Sequence, residues 1–233
     1  MRRHPNISTK TSPADEVSIR RKPKAFVRET AACALAGGYG QGTGSLPLPK
    51  SSGHWRVMAT EVLVIVGMGG MGQAVLRRSG AGQKVLLADF DETLLETVAG
   101  TALGDGYDVV SQRVDVSSRD SVAALAATAA ELGTVTGVVH TAGLSPVQAP
   151  VEAIWKVDLL GTALVLDEFQ KVIAPRGSGV FISSMSAYMV GGQIPADVLA
   201  GLAAVPTDDL LLVPFLSGVD NPGYAYGIAK RAN

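Results

Sequence analysis

Tyr226 and Lys230 stand four residues apart in Tyr226-Gly227-Ile228-Ala229-Lys230, a spacing that projects both side chains from one face of a helix. An ammonium beside a phenol favours the phenolate and lowers its pKa toward working pH. A tyrosine tuned in this way can take a proton from an alcohol or give one to a carbonyl oxygen. A second constellation lies upstream, where Gly67-Met68-Gly69-Gly70-Met71-Gly72 follows an apolar run at 62–66 and matches G-x-G-x-x-G. Gly67 would make the tight turn, Gly69 would let backbone approach a pyrophosphate, and Gly72 would let a helix pack closely on the strand. The N–H groups around Met71 at the start of that helix would then meet the phosphates. Asp89 follows twenty-two residues after Gly67, near the place of a carboxylate that bonds the adenosine ribose hydroxyls. A carboxylate there repels a 2′-phosphate, so NAD is expected in preference to NADP. The other role open to Asp89 is to cap the helix beginning near Asp91.

These groups need strands and helices to hold them, and the chain supplies both from residue 61 onward. Apolar strand-type runs fall at 62–66, 84–88, within 107–114, at 135–140 and at 179–183. Between them lie helical segments from the glycine turn to about residue 78, around 92–99, at 117–132 with Ser117 as N-cap, and at 151–173 after Pro150. Strands alternating with helices of this length predict parallel βαβ units with helices on both faces. The fold class is therefore α/β, a Rossmann-type doubly wound parallel sheet in a single domain at 59–233.

Composition agrees: 47% of the 233 residues are hydrophobic and 18% charged, enough for one globular core. No apolar run reaches the roughly 18 residues that cross a bilayer, so no membrane partner is expected. Cys33 is the single cysteine, and His4, His54 and His140 lack metal-ligand spacing, so neither a disulfide nor a metal site is expected. Residues 1–58 carry ten Lys/Arg against three acids, near +7, while 59–233 carry ten against eighteen, near −8. An acidic body argues against a nucleic-acid surface. The first 58 residues show no periodicity, are rich in Pro, Ser, Thr and Gly, and are expected to be a disordered extension. Their alternatives are a targeting peptide, or a start site placed too early, since Met58-Ala59-Thr60-Glu61 leads directly into the first strand. The glycine run at 37–44 lacks the Gly-Lys-Ser/Thr ending of a P-loop.

Taken in order, the motifs resemble those of the short-chain dehydrogenase/reductase family over residues 61–233. Asp115-Val116 matches the family's adenine-side Asp after the third strand. His140-Thr141-Ala142-Gly143 is similar to its Asn-Asn-Ala-Gly segment, Ile182-Ser183-Ser184 to the Ser-bearing end of its fifth strand, and Tyr226 to Lys230 to its Tyr-x-x-x-Lys element. The resemblance implies that Asp115, Val116, Ala142 and Gly143 line the cofactor. It also implies that Lys230 holds the nicotinamide ribose and that Ser184 hydrogen-bonds the substrate oxygen beside Tyr226. The implied activity is alcohol–carbonyl interconversion with NAD(P), on a small, fairly apolar alcohol or ketone, in a cytoplasmic homo-oligomer.

The chain departs from the family in four places. Its glycine motif is one residue shorter, with Val66 where the family has Thr. Asp158 stands where the family commonly has Asn, a residue that supports a proton relay through bound water, so Asp158 is a candidate member of the site that either supports the relay or alters its pH dependence. Forty-two residues separate Ser184 from Tyr226; this insertion, about 188–220, is expected to form short helices that cover the substrate or pack on the fold. Finally, Asn233 lies three residues after Lys230, where a complete member would add at least two more strands, so the fold is expected to be incomplete at its C-terminus, with an exposed edge on the fifth strand and an inactive or unstable chain. Two other readings stay open. One is an enzyme like the β-hydroxyacid dehydrogenases, whose nucleotide loop the glycine motif also resembles. The other is a non-catalytic NAD-binding protein or inactive fragment.

Overall fold

The computed structural model describes residues 60–233; the expected disordered or targeting segment lies outside the described residues. Five parallel strands, β1 (Glu61–Val66), β2 (Lys84–Asp89), β3 (Asp108–Arg113), β4 (Thr134–His140) and β5 (Ile173–Phe181), form one sheet in the order β3-β2-β1-β4-β5. The order reverses direction between β1 and β4, the switch point at which doubly wound sheets open a crevice beyond the strands' carboxyl ends. Strand β1 reads as a continuous apolar run because it is buried on both faces. Its Val62, Val64 and Val66 pack with α3 (Arg119–Leu132) and α5 (Gly161–Phe169), through residues such as Leu125, Leu164 and Phe169. Leu63 and Ile65 face the opposite way, against α1 (Gly70–Ser79) and α2 (Glu92–Gly104), through Leu76, Leu95 and Val98. The period of two along one strand thus seats helices on both faces.

Local chemistry sets several element ends. Asp91 is the N-cap of α2, with its carboxylate accepting from Leu94 N at 3.0 Å. Asp89 is therefore not the cap that the sequence left open for it. The N-cap of α3 is Ser118 rather than Ser117, because the Ser117 hydroxyl is already bonded to Asp115 at 2.6 Å. The helix expected over 151–173 stops at Phe169, and Ile173 instead pairs with Val135 at the start of β5. Strand β5 thus begins six residues earlier than the expected start at 179. Its ladder breaks between Ile173 and Ser178, where Arg176 turns the chain with φ 71°.

The segment after β4 is helical without a break: α4 (Val151–Ile154), a π turn (Trp155–Leu160) and α5 follow one another through residues with helical backbone angles. Gly161 N donates to Lys156 O, the i→i−5 bond of a π turn. The insertion forms α6 (Ser186–Gly191), α7 (Ala196–Ala204), a 3-10 turn (Thr207–Leu212) and α8 (Pro214–Ser217), leading to α9 (Pro222–Ala232). Of the two roles expected for it, packing is the one its buried apolar side chains perform. Ile194, Leu202, Leu210 and Leu216 join Ile154, Trp155 and Ile228 in a second core between α4, the π turn and α9. That core fixes α9, and with it Tyr226 and Lys230, against the end of the sheet. Among the described residues no helix is long and apolar enough to cross a membrane.

Candidate active site

The glycine turn divides its labour. Gly67 adopts φ +99°, and a Cβ there would lie 2.5 Å from Ala142 N; a Cβ on Gly72 would lie 1.8 Å from the Gly67 carbonyl oxygen. The fold itself therefore demands glycine at both positions. Gly69 and Gly70 have nothing within 4 Å of a would-be Cβ, and no side chain caps the first N–H groups of α1. Free donors at a helix start with open space before them make an anion cradle. The turn is pinned from three sides: Met68 N donates to Asp89 Oδ2 at 2.5 Å, Thr141 Oγ1 donates to Gly67 O at 2.8 Å, and Gln73 Nε2 donates to Met68 O at 2.9 Å.

A cleft of about 540 Å³ opens beside this turn, at the carboxyl ends of β1, β2 and β4. Gly67, Gly69, Asp89, Asp115, Val116, Ala142 and Gly143 all line it. Met71 and Gly72 do not; Met71 is exposed on α1 and Gly72 is buried beneath the turn. Asp89 Oδ1 also accepts from Asp91 N at 2.9 Å, so the carboxylate is oriented from both sides. Asp115 Oδ1 accepts both the backbone N–H and the hydroxyl of Ser117, at 2.9 and 2.6 Å. Val116 is packed in turn on Gly161, where a Cβ would come within 2.9 Å of its Cγ2. Residues not singled out from the sequence complete the wall, among them Phe90, Leu94, Thr141 and Lys156. Phe90 is 61% exposed with the Arg113 guanidinium 4.4 Å from its ring centroid. An aromatic directly after the strand-end acid was the signal that could have found it. A second hollow of about 570 Å³ lies at the other end of the strands, by Thr60, Lys84 and Asp108, far from these groups.

Behind Gly143, on the wall of the cleft, lies a buried charge pair. Lys230 Nζ lies 3.0 Å from Asp158 Oδ1, with the two side chains 5% and 0% exposed. The approach is off the angle of a hydrogen bond, so Oδ1 is held by the ion pair alone, while Oδ2 accepts from Leu144 N at 3.0 Å. Burial pushes the Asp158 carboxyl above the usual carboxylate range, and the Lys230 ammonium pulls against that shift. A Cβ on Gly143 would meet Asp158 Oδ1 at 2.7 Å and Lys230 Nζ at 3.3 Å. Lys230 also donates to Ile182 O at 3.3 Å, and its Nζ stands 5.6 Å from the Tyr226 ring centroid. Ser183 Oγ donates to Lys230 O at 2.7 Å and ties α9 to the end of β5. Ser184 Oγ instead accepts from Ser186 N and Ser186 Oγ, at 3.2 and 2.9 Å. Ser184 and Tyr226 are not hydrogen-bonded to each other. His140, at the end of β4, is 2% exposed with neither ring nitrogen bonded to a described residue. Burial, with the nearby Lys230 charge, holds its pKa down to about 4.

A doubly wound parallel sheet with a glycine cradle at its switch point defines a dinucleotide-binding protein of the Rossmann class, and the glycines, free helix donors and two wall carboxylates fit such a cofactor. The family model described as Enoyl-(Acyl carrier protein) reductase matches residues 67–200. The chain belongs to the short-chain dehydrogenase/reductase family. It is 42% identical over 177 residues to the short-chain dehydrogenase/reductase bsc3 of Alternaria brassicicola, covering 76% of this chain and 65% of that protein. A short-chain dehydrogenase/reductase of Burkholderia phymatum solved in complex with NAD superposes with TM-score 0.53 at 23% identity, covering 74% of this chain and 56% of that one. An actinorhodin polyketide ketoreductase solved with NADPH gives 0.51 at 22% identity, covering 74% and 60%. The chain thus spans just under two thirds of the length of this curated relative, and less of the two solved structures. Membership makes it of an oxidoreductase family that binds NAD(P).

Proposed function

We propose that this chain carries the NAD-dependent interconversion of an alcohol and its carbonyl compound. The observation that carries the reading is that Lys230, paired with Asp158 and near the Tyr226 ring, lies directly behind Gly143, on the wall of the cleft that the glycine turn and Asp89 also line. When bound, the nicotinamide ring supplies or accepts the hydride. The protein's part is to hold and to move a proton. Tyr226 is the proposed acid–base group, taking the proton from an alcohol or giving it to the carbonyl oxygen at its phenol oxygen. Ser184 Oγ, which accepts from Ser186 and keeps its own hydroxyl proton uncommitted, is the proposed donor that fixes the substrate oxygen. Lys230 would hold the nicotinamide ribose; Gly67, Gly69, Met71 and Gly72 would form the pyrophosphate turn; Asp115, Val116, Ala142 and Gly143 would flank the bases and ribose.

The preference for NAD rests on Asp89. Its carboxylate lines the cleft at the end of β2, and a 2′-phosphate placed there would meet like charge. The substrate is read as a small, fairly apolar alcohol or ketone. A cytoplasmic homo-oligomer is proposed for the whole protein by analogy with the family.

The test is a direct binding titration with NAD(H) and NADP(H), followed by a screen of alcohols and ketones monitored through the absorbance of the reduced cofactor. Turnover by the whole protein and none by its Tyr226→Phe variant, with NAD binding retained, is the expected result. Turnover by the Phe variant overturns the role of Tyr226, and tighter binding of NADP(H) overturns the cofactor preference.

A further inference from the structure

Around the Lys230 ammonium the structure gathers every group that could set its charge. From the π turn comes Asp158, in ion-pair contact at 3.0 Å. From β4 comes His140, held neutral by burial. The end of β5 offers only a carbonyl, Ile182 O, and the backbone-bonded hydroxyl of Ser183. On α9 itself stand Tyr226 and the exposed Arg231, and Lys156 of the π turn faces the cofactor cleft. Among the described residues, the buried region beside Tyr226 therefore holds one cation, Lys230, and its one acidic partner, Asp158. With a neutral side chain at residue 158 it would hold a cation alone.

We propose that Asp158 is a positioning residue that acts through Lys230: it anchors the ammonium beneath Gly143 and withdraws part of its charge from the Tyr226 phenol. The geometry favours this over a passive packing role. Asp158 lies within a π turn, whose extra residue per turn changes the direction in which the side chain leaves the helix. The carboxylate is aimed from below by Leu144 N at 3.0 Å, and the space that a Cβ on Gly143 would fill is where Oδ1 and Nζ meet. In low dielectric a carboxylate in contact with an ammonium offsets much of its field on a third group. Asp158 thus sets how much of the Lys230 charge the Tyr226 side chain meets, and a neutral residue in its place would leave that charge unopposed. The inference rests on Tyr226 being the acid–base group.

The experiment follows the tyrosine itself. NMR titration of isotope-labelled tyrosine, with Tyr226→Phe assigning the resonance, gives the Tyr226 midpoint in the wild type and in Asp158→Asn. The expected result is a midpoint lowered by about one pH unit in Asp158→Asn, the order of a single neighbouring charge. An unchanged or raised midpoint overturns the proposal. Should Asp158→Asn not fold, the wild type still decides. The Asp158 carboxyl and the Tyr226 ring must then share one inflection on the acid side, and two independent curves overturn it. NAD titration of the same samples tests the cofactor reading separately, because the tyrosine midpoint is measured without cofactor or substrate.

Discussion

The carboxylate of Asp89 accepts the backbone N–H of Met68 at 2.5 Å, across 21 residues of chain. The acid at the end of β2 thus holds the glycine turn that follows β1, and both sit on the wall of one cleft. A side chain expected to read the ribose also shapes the cradle for the phosphates.

Asp89→Ala should for this reason do two things together. It removes a charge-assisted hydrogen bond, worth about 1.5–3 kcal/mol, and so should weaken NAD binding by roughly ten-fold or more. It also removes the charge that opposes a 2′-phosphate, so the ratio of NAD to NADP affinity should fall. Calorimetric titration with both cofactors checks this, and an unaltered ratio would count against Asp89 as the discriminating group.

Gly72→Ala places a methyl group 1.8 Å from the Gly67 carbonyl oxygen, a backbone atom with no freedom to retreat. Overpacking of this kind costs about 1–3 kcal/mol or more, so the midpoint of thermal unfolding should fall by about 2–12 °C. Gly69→Ala meets nothing within 4 Å. It should melt near the wild type and lose affinity for the cofactor instead. The pair of melting curves and the pair of NAD titrations separate the two glycines.

Gly143→Ala pushes a methyl group against Asp158 Oδ1 at 2.7 Å and Lys230 Nζ at 3.3 Å. The ion pair must open to admit it. Separating two buried charges leaves each without its partner, at a cost of several kcal/mol, and Lys230 loses its position. Turnover and thermal stability should fall together, and a variant with wild-type values of both would show that the pair yields without cost.

His140 gives the native state a dependence on pH. Its pKa is about 4 in the folded chain against 6.5 for the free side chain, so the unfolded state binds the proton first as pH falls. The stability this neutral imidazole contributes is complete above about pH 6.5 and is lost as pH falls toward 4, to a limit of about 3 kcal/mol. Asp158, whose pKa is raised, runs in the opposite direction at the acid end. The difference between wild type and His140→Leu therefore isolates the histidine. Denaturant unfolding across this window should show a steeper acid loss in the wild type, and parallel curves would rule out a buried, unbonded imidazole.

The sequence by itself determined the five strands in order, the helices between them, and the glycine turn with its distant acid. These are local signals: an unbroken apolar run marks a strand buried on both faces, and a G-x-G-x-x-G after it marks the tight entry to a helix. Tyr226 and Lys230 were legible for the same reason, as neighbours on one helix face. Element ends were less so. Ser118 displaced Ser117 as the α3 cap once Asp115 had taken the Ser117 hydroxyl, and the helix ending at Phe169 gave up its expected last turn to strand pairing at Ile173. Only the tertiary structure decided that Asp158 meets Lys230, that Asp89 grips Met68, and that Gly143 must be small to let the ion pair close. Each of these joins groups distant in sequence through the π turn, the sheet register and the packing of α9 on the second core. Periodicity and spacing carry no record of such contacts, because they arise only when separate elements are brought to one end of the sheet.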